Sequence, residues 1–259
     1  MAERRAIDFE GFVMDVVQVR GDAWDEEEYP FSLPAVRSWE TLQLHPKVTF
    51  LVGENATGKS TLVEALAIAA GFNAEGGSRN HNFQTESAHS GLHRFLRLVR
   101  GAKRPRDGFF LRAESFFNVA SNIDALDREP GLGTPIILSY GGVSLHHQSH
   151  GESFMALMEN RLGGKGFYVL DEPEAALSPK RLIRFLRRLH ELVKGGSQFV
   201  IAVHSPMLLA YPDAWIYEMT GEGPMRREWD SLEHVKLTRD FLMFPEKYLW
   251  DIMEEDDGL

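Results

Sequence analysis

The sequence lacks cysteine, and it lacks any long apolar run. None of its 259 residues is cysteine, so disulfides and thiolate metal sites are excluded. No segment approaches the roughly 18 to 20 consecutive apolar residues that a membrane span requires, and residues 1–5 do not begin a signal-peptide core. The composition, with 43% hydrophobic and 25% charged residues, is ordinary for a soluble globular protein. We therefore expect a cytoplasmic protein without membrane insertion.

The sequence also contains fewer basic than acidic residues. The chain has 28 Lys and Arg against 38 Asp and Glu, which gives a net charge of −10. A protein that binds nucleic acid over its whole surface normally carries the opposite sign. Basic residues do cluster between Arg94 and Arg106, but such a run is more often a solvated helix face and loop than a polyanion site. We predict a helix over residues 92–100, and nucleic-acid binding stays open.

A glycine-rich loop between a predicted strand (residues 48–52) and a predicted helix (residues 60–70) is the strongest motif. Its pattern is G-x-x-x-x-G-K-S, whose glycines allow backbone N–H groups and the helix N-terminus to converge on phosphates. Lys59 supplies positive charge for the β- and γ-phosphates, and Ser60 supplies a hydroxyl for Mg²⁺. The motif predicts binding of a nucleoside triphosphate by Gly53, Glu54, Asn55, Ala56, Thr57, Gly58, Lys59, Ser60 and Thr61.

Two carboxylates follow a second apolar run, residues 167–170, which is typical of a strand buried on both faces. Asp171 is placed to hold Mg²⁺ opposite Ser60, directly or through water. Glu172 is placed to orient or deprotonate an attacking water. A strand that ends in an acidic turn is common, so this prediction gains its weight from the phosphate loop.

Two weaker signals accompany these motifs. The buried-strand pattern over residues 199–203 ends in His204, whose imidazole can reach the γ-phosphate or the attacking water. Alone it would more often be a packed or capped histidine. A polar turn over residues 148–153 opens a helix that runs to residue 162. By itself it is a helix N-cap at Ser149 or Ser153, although its N–H groups and serine hydroxyl also suit an anion.

Taken in order, these four motifs resemble an ATP-binding-cassette (ABC) ATPase over residues 48–206. The stretch D-E-P-E-A-A-L-S-P at residues 171–179 looks like the soluble branch, the predicted AAA-family ATPases related to SMC, recombination-repair and OLD-type heads. Transporter subunits usually read D-E-P-T-S-A-L-D instead. The resemblance implies an α/β P-loop fold in a single domain, residues 1–259. It further implies a mixed sheet with an antiparallel edge and a helical signature subdomain near residues 115–165.

The resemblance also implies a function. It is Mg²⁺-dependent ATP hydrolysis by a head-to-tail homodimer that closes on two ATP molecules and gates a partner protein, a nucleic acid or another process. In that dimer, Ser149, His150, Gly151 and Glu152 complete the site of the other subunit. One alternative is a low-turnover nucleotide switch that serves a partner nuclease, toxin or DNA. The nucleotide-binding subunit of a transporter is a less favoured alternative.

The sequence departs from the family pattern in three respects. His150 replaces the first glycine of the signature. The glutamine that usually contacts Mg²⁺ and water has no clear match; Glu114 is the preferred candidate, with Gln84 as runner-up, although a carboxylate would also repel phosphate. Candidates for an adenine platform are Tyr29, Phe31 and Trp39, which are better explained as core or loop packing.

Overall fold

The computed structural model describes residues 6–22, 24–33, 36, 38–78, 90–112, 120–121, 123–124, 127 and 135–254. Its strands, in chain order, are β1 (Val13–Gln18), β2 (Thr41–Gln43), β3 (Val48–Val52), β4 (Leu96–Arg100), β5 (Asp107–Arg112), β6 (Gly166–Asp171), β7 (Gln198–Ala202), β8 (Trp215–Thr220) and β9 (Gly223–Arg227). Its α-helices are α1 (Lys59–Ala69), α2 (His150–Ala156), α3 (Pro179–Lys194), α4 (Pro206–Leu209), α5 (Glu233–Met243) and α6 (Pro245–Glu254). Short 3₁₀ helices are Gly91–Phe95, Ile136–Tyr140, Leu145–His147, Pro173–Ala176 and Trp229–Ser231, and a π-helical turn over Leu157–Arg161 extends α2.

A six-stranded sheet in the order β5-β6-β7-β3-β8-β9 forms the centre of the fold. All neighbouring strands in it run parallel except β9, which pairs antiparallel with β8. Every residue of β3, β6 and β7 is buried, as expected for parallel strands covered on both faces. The predicted α/β P-loop fold, with a mixed sheet and an antiparallel edge, is confirmed. The division into one domain with a signature subdomain near residues 115–165 stays a prediction, and much of residues 115–134 lies outside the described ranges.

The predicted helix over residues 92–100 is wrong. The chain instead forms a 3₁₀ turn over Gly91–Phe95 and then strand β4, which pairs antiparallel with β1 in a second sheet of order β2-β1-β4. The i, i+3 spacing of Leu92 and Phe95 fits a 3₁₀ turn as well as an α-helix. Beyond it, pairing with β1 overrides local helical spacing. Arg94, Arg97 and the basic residues at 103, 104 and 106 are exposed on this side of the molecule.

One buried glutamine joins the two sheets. Gln198 begins β7 and is fully buried. Its Oε1 accepts hydrogen bonds from the N–H groups of Phe12 and Val13 at 2.8 and 2.9 Å. Its Nε2 donates to the carbonyl oxygens of Val13 and His45 at 2.7 and 2.9 Å. Because these four hydrogen bonds join β7 to the start of β1 and to the segment before β3, Gln198 fixes the small sheet against the large one.

Helices cover both faces of the large sheet. The buried apolar residues of α1, including Leu62, Val63 and Leu66, belong to one hydrophobic cluster, which also contains most of the buried residues of the small sheet. Those of α3, including Phe185 and Leu189, belong to a second cluster with α2. With helices on both faces of the sheet, the carboxyl ends of β3, β6 and β7 lie along one side of it. The loops that follow these strands emerge together there.

Helices α5 and α6 carry many exposed apolar side chains, among them Leu242, Met243, Trp250 and Met253, and Phe244 between the two helices is exposed as well. The segment before them is tied to the α4 turn, because the indole Nε1 of Trp229 donates to the carbonyl oxygen of Pro206 at 3.0 Å. Across the described ranges, no helix is both long enough and apolar enough to cross a membrane.

Candidate nucleotide-binding site

The phosphate loop connects β3, at the centre of the sheet, to α1. Gly58 takes a left-handed backbone, with φ of 96°, at the N-cap of α1, which is the conformation that glycine adopts without strain. A Cβ on Gly53 would lie 3.0 Å from the carbonyl oxygen of Met219 on the neighbouring strand β8. Glu54, Asn55 and Ala56 are exposed at the tip of the loop. The loop therefore presents its backbone to solvent at the N-terminus of α1, which is an anion-binding arrangement.

The Lys59 side chain lies within this loop. Its Nζ donates hydrogen bonds to the carbonyl oxygens of Gly53 and Glu54, both at 2.9 Å, and the residue is only 4% exposed. Burial lowers the pKa of Lys59, while the carboxylates of Glu172, Asp171 and Glu174 oppose that shift. The ammonium group is thus hydrogen-bonded to the loop carbonyls and is stabilised by the negative charge of these carboxylates.

Ser60 and Asp171 meet across the site. The Ser60 Oγ donates to Asp171 Oδ1 at 3.1 Å, which joins the first turn of α1 to the end of β6. A hydroxyl and a carboxylate are the hard oxygen ligands that Mg²⁺ prefers, usually beside substrate phosphates. The residues that the sequence predicted as metal ligands from these two motifs therefore lie together and fit the ion. The third, Glu114, lies outside the described residues, as does its alternative Gln84.

An arginine that the sequence motifs did not single out borders this pair. Arg112 ends β5 and is in register with Asp171. Its Nη1 lies 2.7 Å from Glu64 Oε2 on α1, and its Nε lies 3.8 Å from Asp171 Oδ2. Both acidic side chains are largely buried, so the guanidinium compensates their charge and ties α1 to β5 and β6. The usable signal is positional, because Arg112 directly follows the apolar residues 109–111.

Glu172 and His204 lie side by side where β6 and β7 end. The Glu172 Oε1 is 3.3 Å from His204 Nε2, and both side chains are about two-fifths exposed. Glu172 has a left-handed backbone with φ of 50°, and its N–H donates to the carbonyl oxygen of Ala202 at 3.0 Å. The two residues predicted as catalytic are therefore neighbours; both side chains are partly exposed, whereas the His204 Nε2 atom itself is buried.

The signature turn is built around Ser149 and Glu152 at the start of α2. The Glu152 Oε2 accepts hydrogen bonds from the Ser149 N–H at 3.0 Å and from its hydroxyl at 2.7 Å. These two bonds lower the pKa of Glu152. The Glu152 Oε1 also lies 3.2 Å from Nη2 of Arg181 on α3. The side chains of Ser149, His150 and Glu152 are exposed, whereas Gly151 is buried.

The burial of Gly151 has a specific cause. A Cβ at this position would lie 2.7 Å from the carbonyl oxygen of Ala176 and 2.6 Å from Arg181 Nη1. Ala176 belongs to the 3₁₀ turn that follows Glu172. The signature turn and the turn after β6 are therefore in direct contact, with no room for a side chain between them.

The aromatic candidates divide into two groups. Phe31 and Trp39 are buried in the core, and the Phe31 ring packs 4.5 Å from Trp24, centroid to centroid. Tyr29 is 66% exposed, and its hydroxyl lies 3.2 Å from Thr61 Oγ1 beside the phosphate loop. Of the three, Tyr29 is the one with an exposed side chain beside the phosphate loop.

Residues 48–114 match the family described as "AAA domain, putative AbiEii toxin, Type IV TA system". No curated protein sequence matches the chain at a significant level.

Solved structures that resemble the chain include the SMC head domain from Thermotoga maritima (16% identity, TM-score 0.42, covering 83% of this chain and 98% of that one). Another is cbiO1 from Clostridium perfringens, part of the ABC transporter complex cbiONQ (15% identity, TM-score 0.47, covering 94% of this chain and 99% of that one). A third is the ADP conformation of an ATP-binding cassette of an ABC transporter (17% identity, TM-score 0.47, covering 96% of this chain and 99% of that one).

The family match covers the β3–loop–α1 unit and extends just past β5. The sheet order places that unit beside β7, with β6 next to it, so the loop, Asp171 and Glu172 share one edge. Residues 48–114 are therefore similar to this AAA domain family, and the P-loop they contain lies beside the strand end that carries Asp171 and Glu172.

Proposed function

We propose that the chain binds ATP with Mg²⁺, hydrolyses it, and couples that cycle to head-to-tail association of two copies. The observation that carries the proposal is the hydrogen bond between Ser60 and Asp171, 111 residues apart in sequence and 3.1 Å apart in space. It brings the phosphate loop to the carboxylates at the end of β6. Bound Mg²⁺ would lie against these two oxygens and neutralise phosphate charge.

The residues of the site have distinct roles in this proposal. The loop N–H groups cradle the phosphates, and Lys59 turns its ammonium from the loop carbonyls toward the β- and γ-phosphates. Glu172 orients a water and accepts its proton as the water oxygen attacks the γ-phosphorus. The bond from that phosphorus to the bridging oxygen breaks, which leaves ADP and inorganic phosphate. His204, beside Glu172, contacts the γ-phosphate or the water.

The second copy supplies the opposing wall of the site. Ser149, His150, Gly151 and Glu152 would face the γ-phosphate bound by the partner subunit, with the hydroxyl and N–H groups of the turn as donors. This is supported by the exposure of the Ser149, His150 and Glu152 side chains at the start of α2. Residues 175–178, which follow Glu172 and contact Gly151 through Ala176, would connect the two sites. Association of this kind would gate a partner protein or a nucleic acid.

The Glu172→Gln variant tests the proposal. Without the carboxylate, ATP should bind and persist, so size-exclusion chromatography with light scattering should show a dimer with Mg-ATP and a monomer without it. Adding Ser149→Arg should abolish the dimer but retain ATP binding. Glu191→Gln, which changes an exposed glutamate on α3, should behave as wild type. A Glu172→Gln protein that stays monomeric at saturating Mg-ATP would overturn the coupling.

Phosphate release by the wild-type protein tests the hydrolytic half of the proposal. Phosphate release by the wild-type protein that is lost in the Glu172→Gln variant would support an ATPase. Negligible turnover together with a stable ATP complex would instead favour the low-turnover switch, which the histidine at position 150 of the signature turn makes the leading alternative.

A further inference from the structure

A third acidic residue follows Asp171 and Glu172 and has no part in the chemistry described so far. Glu174 lies in the 3₁₀ turn Pro173–Ala176 after β6. Its Oε1 accepts hydrogen bonds from the backbone N–H groups of His204 and of Ser205, the latter at 3.2 Å. A single carboxylate oxygen therefore binds two successive amides of the turn after β7.

These bonds connect two turns that leave the sheet side by side. Strands β6 and β7 are parallel neighbours, with Asp171 in register with Ala202. The turn after β6 carries Glu172, and the turn after β7 carries His204. Hydrogen bonds from backbone amides to a carboxylate are stronger than those between neutral groups, and burial strengthens them further. Glu174 thus holds the His204 backbone at a fixed position relative to the turn that carries Glu172.

The same 3₁₀ turn also contacts the signature turn. The carbonyl oxygen of Glu174 accepts a hydrogen bond from the Leu177 N–H at 2.9 Å, which closes the 3₁₀ turn. Within that turn, the Ala176 carbonyl oxygen fills the space beside Gly151. A continuous set of contacts therefore runs from the His204 amide through Glu174 and Ala176 to the turn that carries Ser149.

We propose that Glu174 is a positioning residue that fixes His204 against Glu172 and links the histidine turn to the signature turn through the Pro173–Ala176 turn. The inference deepens the proposed function and rests on it. Glu174 touches no reacting atom in this role. It acts through the backbone of His204, whose Nε2 it keeps 3.3 Å from Glu172 Oε1.

Four variants test the catalytic consequence: Glu174→Ala, Glu174→Gln, His204→Ala and the double variant Glu174→Ala/His204→Ala. We expect Glu174→Ala to lower kcat about as much as His204→Ala, on the order of 10-fold, with KM for ATP within about twofold of wild type. The double variant should be no slower than His204→Ala, because both single changes remove the same function. Glu174→Gln should stay within about threefold of wild type, since its amide oxygen can accept the same two hydrogen bonds. Losses that multiply in the double variant would overturn the proposal.

Amide hydrogen exchange of the nucleotide-free protein provides a readout that needs no catalysis. Glu174→Ala should raise exchange at the His204 and Ser205 amides by about 10-fold or more, whereas Glu174→Gln should not. Glu191→Ala, which removes an exposed carboxylate from α3, is the matched control. Unchanged exchange in Glu174→Ala would overturn the positioning role. A wild-type protein that releases no phosphate would defeat the proposed ATPase instead, and the exchange result would still decide the role of Glu174.

Discussion

The hydroxyl of Ser60 and the carboxylate of Asp171 form a hydrogen bond of 3.1 Å at the carboxyl ends of the strands of the central sheet. Ser60 belongs to the first turn of α1, and Asp171 is the last residue of β6. The contact brings together two hard oxygen ligands, and the preceding residue, Lys59, supplies an ammonium within the same loop. A magnesium–triphosphate complex requires this combination.

Replacing Ser60 by alanine removes one of these oxygens. We expect Ser60→Ala to raise the Mg²⁺ concentration needed for ATP binding by about 10-fold or more, because ligands and their close neighbours typically contribute that much to metal affinity. Titrating Mg²⁺ against the binding of a fluorescent ATP analogue measures the effect. Ser231→Ala, at an exposed turn, should leave the titration unchanged. The same magnesium dependence in both variants would contradict the ligand assignment.

Gly151 offers a test of the contact between the signature turn and the turn after β6. Gly151→Ala places a Cβ at 2.7 Å from the Ala176 carbonyl oxygen, so the backbone must move. We expect the free energy of unfolding to fall by about 1 to 3 kcal/mol, as for other overpacked sites. Urea denaturation measures it.

Gly221→Ala is the matched control for that experiment, because a Cβ there meets no atom within 4 Å. Its free energy of unfolding should stay within roughly 0.5 kcal/mol of wild type. Equal stability of the two variants would show that Gly151 tolerates a side chain.

The buried carboxyl of Glu174 predicts a pH dependence. Burial raises the pKa of Glu174 above its ordinary value of 4.5, against the hydrogen bonds from the backbone. The folded state therefore holds this proton more tightly than the unfolded state does. Its contribution is fully present below the unfolded pKa and is lost as pH rises through the folded pKa.

Glu174→Gln removes that titration. The difference in free energy of unfolding, variant minus wild type, should therefore increase as pH rises from about 4 to about 8. Urea denaturation of both proteins across that range measures it. A difference that is constant with pH would show that Glu174 titrates alike in the folded and unfolded protein.

The parts of the site that consist of short contiguous patterns could be predicted from the sequence. The strand over residues 48–52, the loop after it and the helix that begins at its end are all local features, and the structure has them with bounds that differ by a residue at most. The runs ending in Asp171 and His204 were recognisable because central parallel strands are apolar throughout. That their ends meet follows from the parallel order of the sheet. The catalytic and trans roles of these residues stay predictions.

What the sequence could not predict depends on contacts between distant segments. Strand β4 exists because β1 offers it a partner, and no local pattern reveals that pairing. Arg112 gains its place from β5 lying beside β6 and from Glu64 on α1. Glu174 belongs to a recognised motif, yet its bond to the His204 amide depends on how two turns leave the sheet.

The Lys59 ammonium is part of the structure of the phosphate loop itself. It bonds the carbonyl oxygens of Gly53 and Glu54, so an internal cation already supports the loop curvature. The curvature of the loop and its positive charge therefore depend on the same side chain. Replacing the lysine would remove this internal support together with the charge, so the loop would lose its shape as well as its attraction for anions.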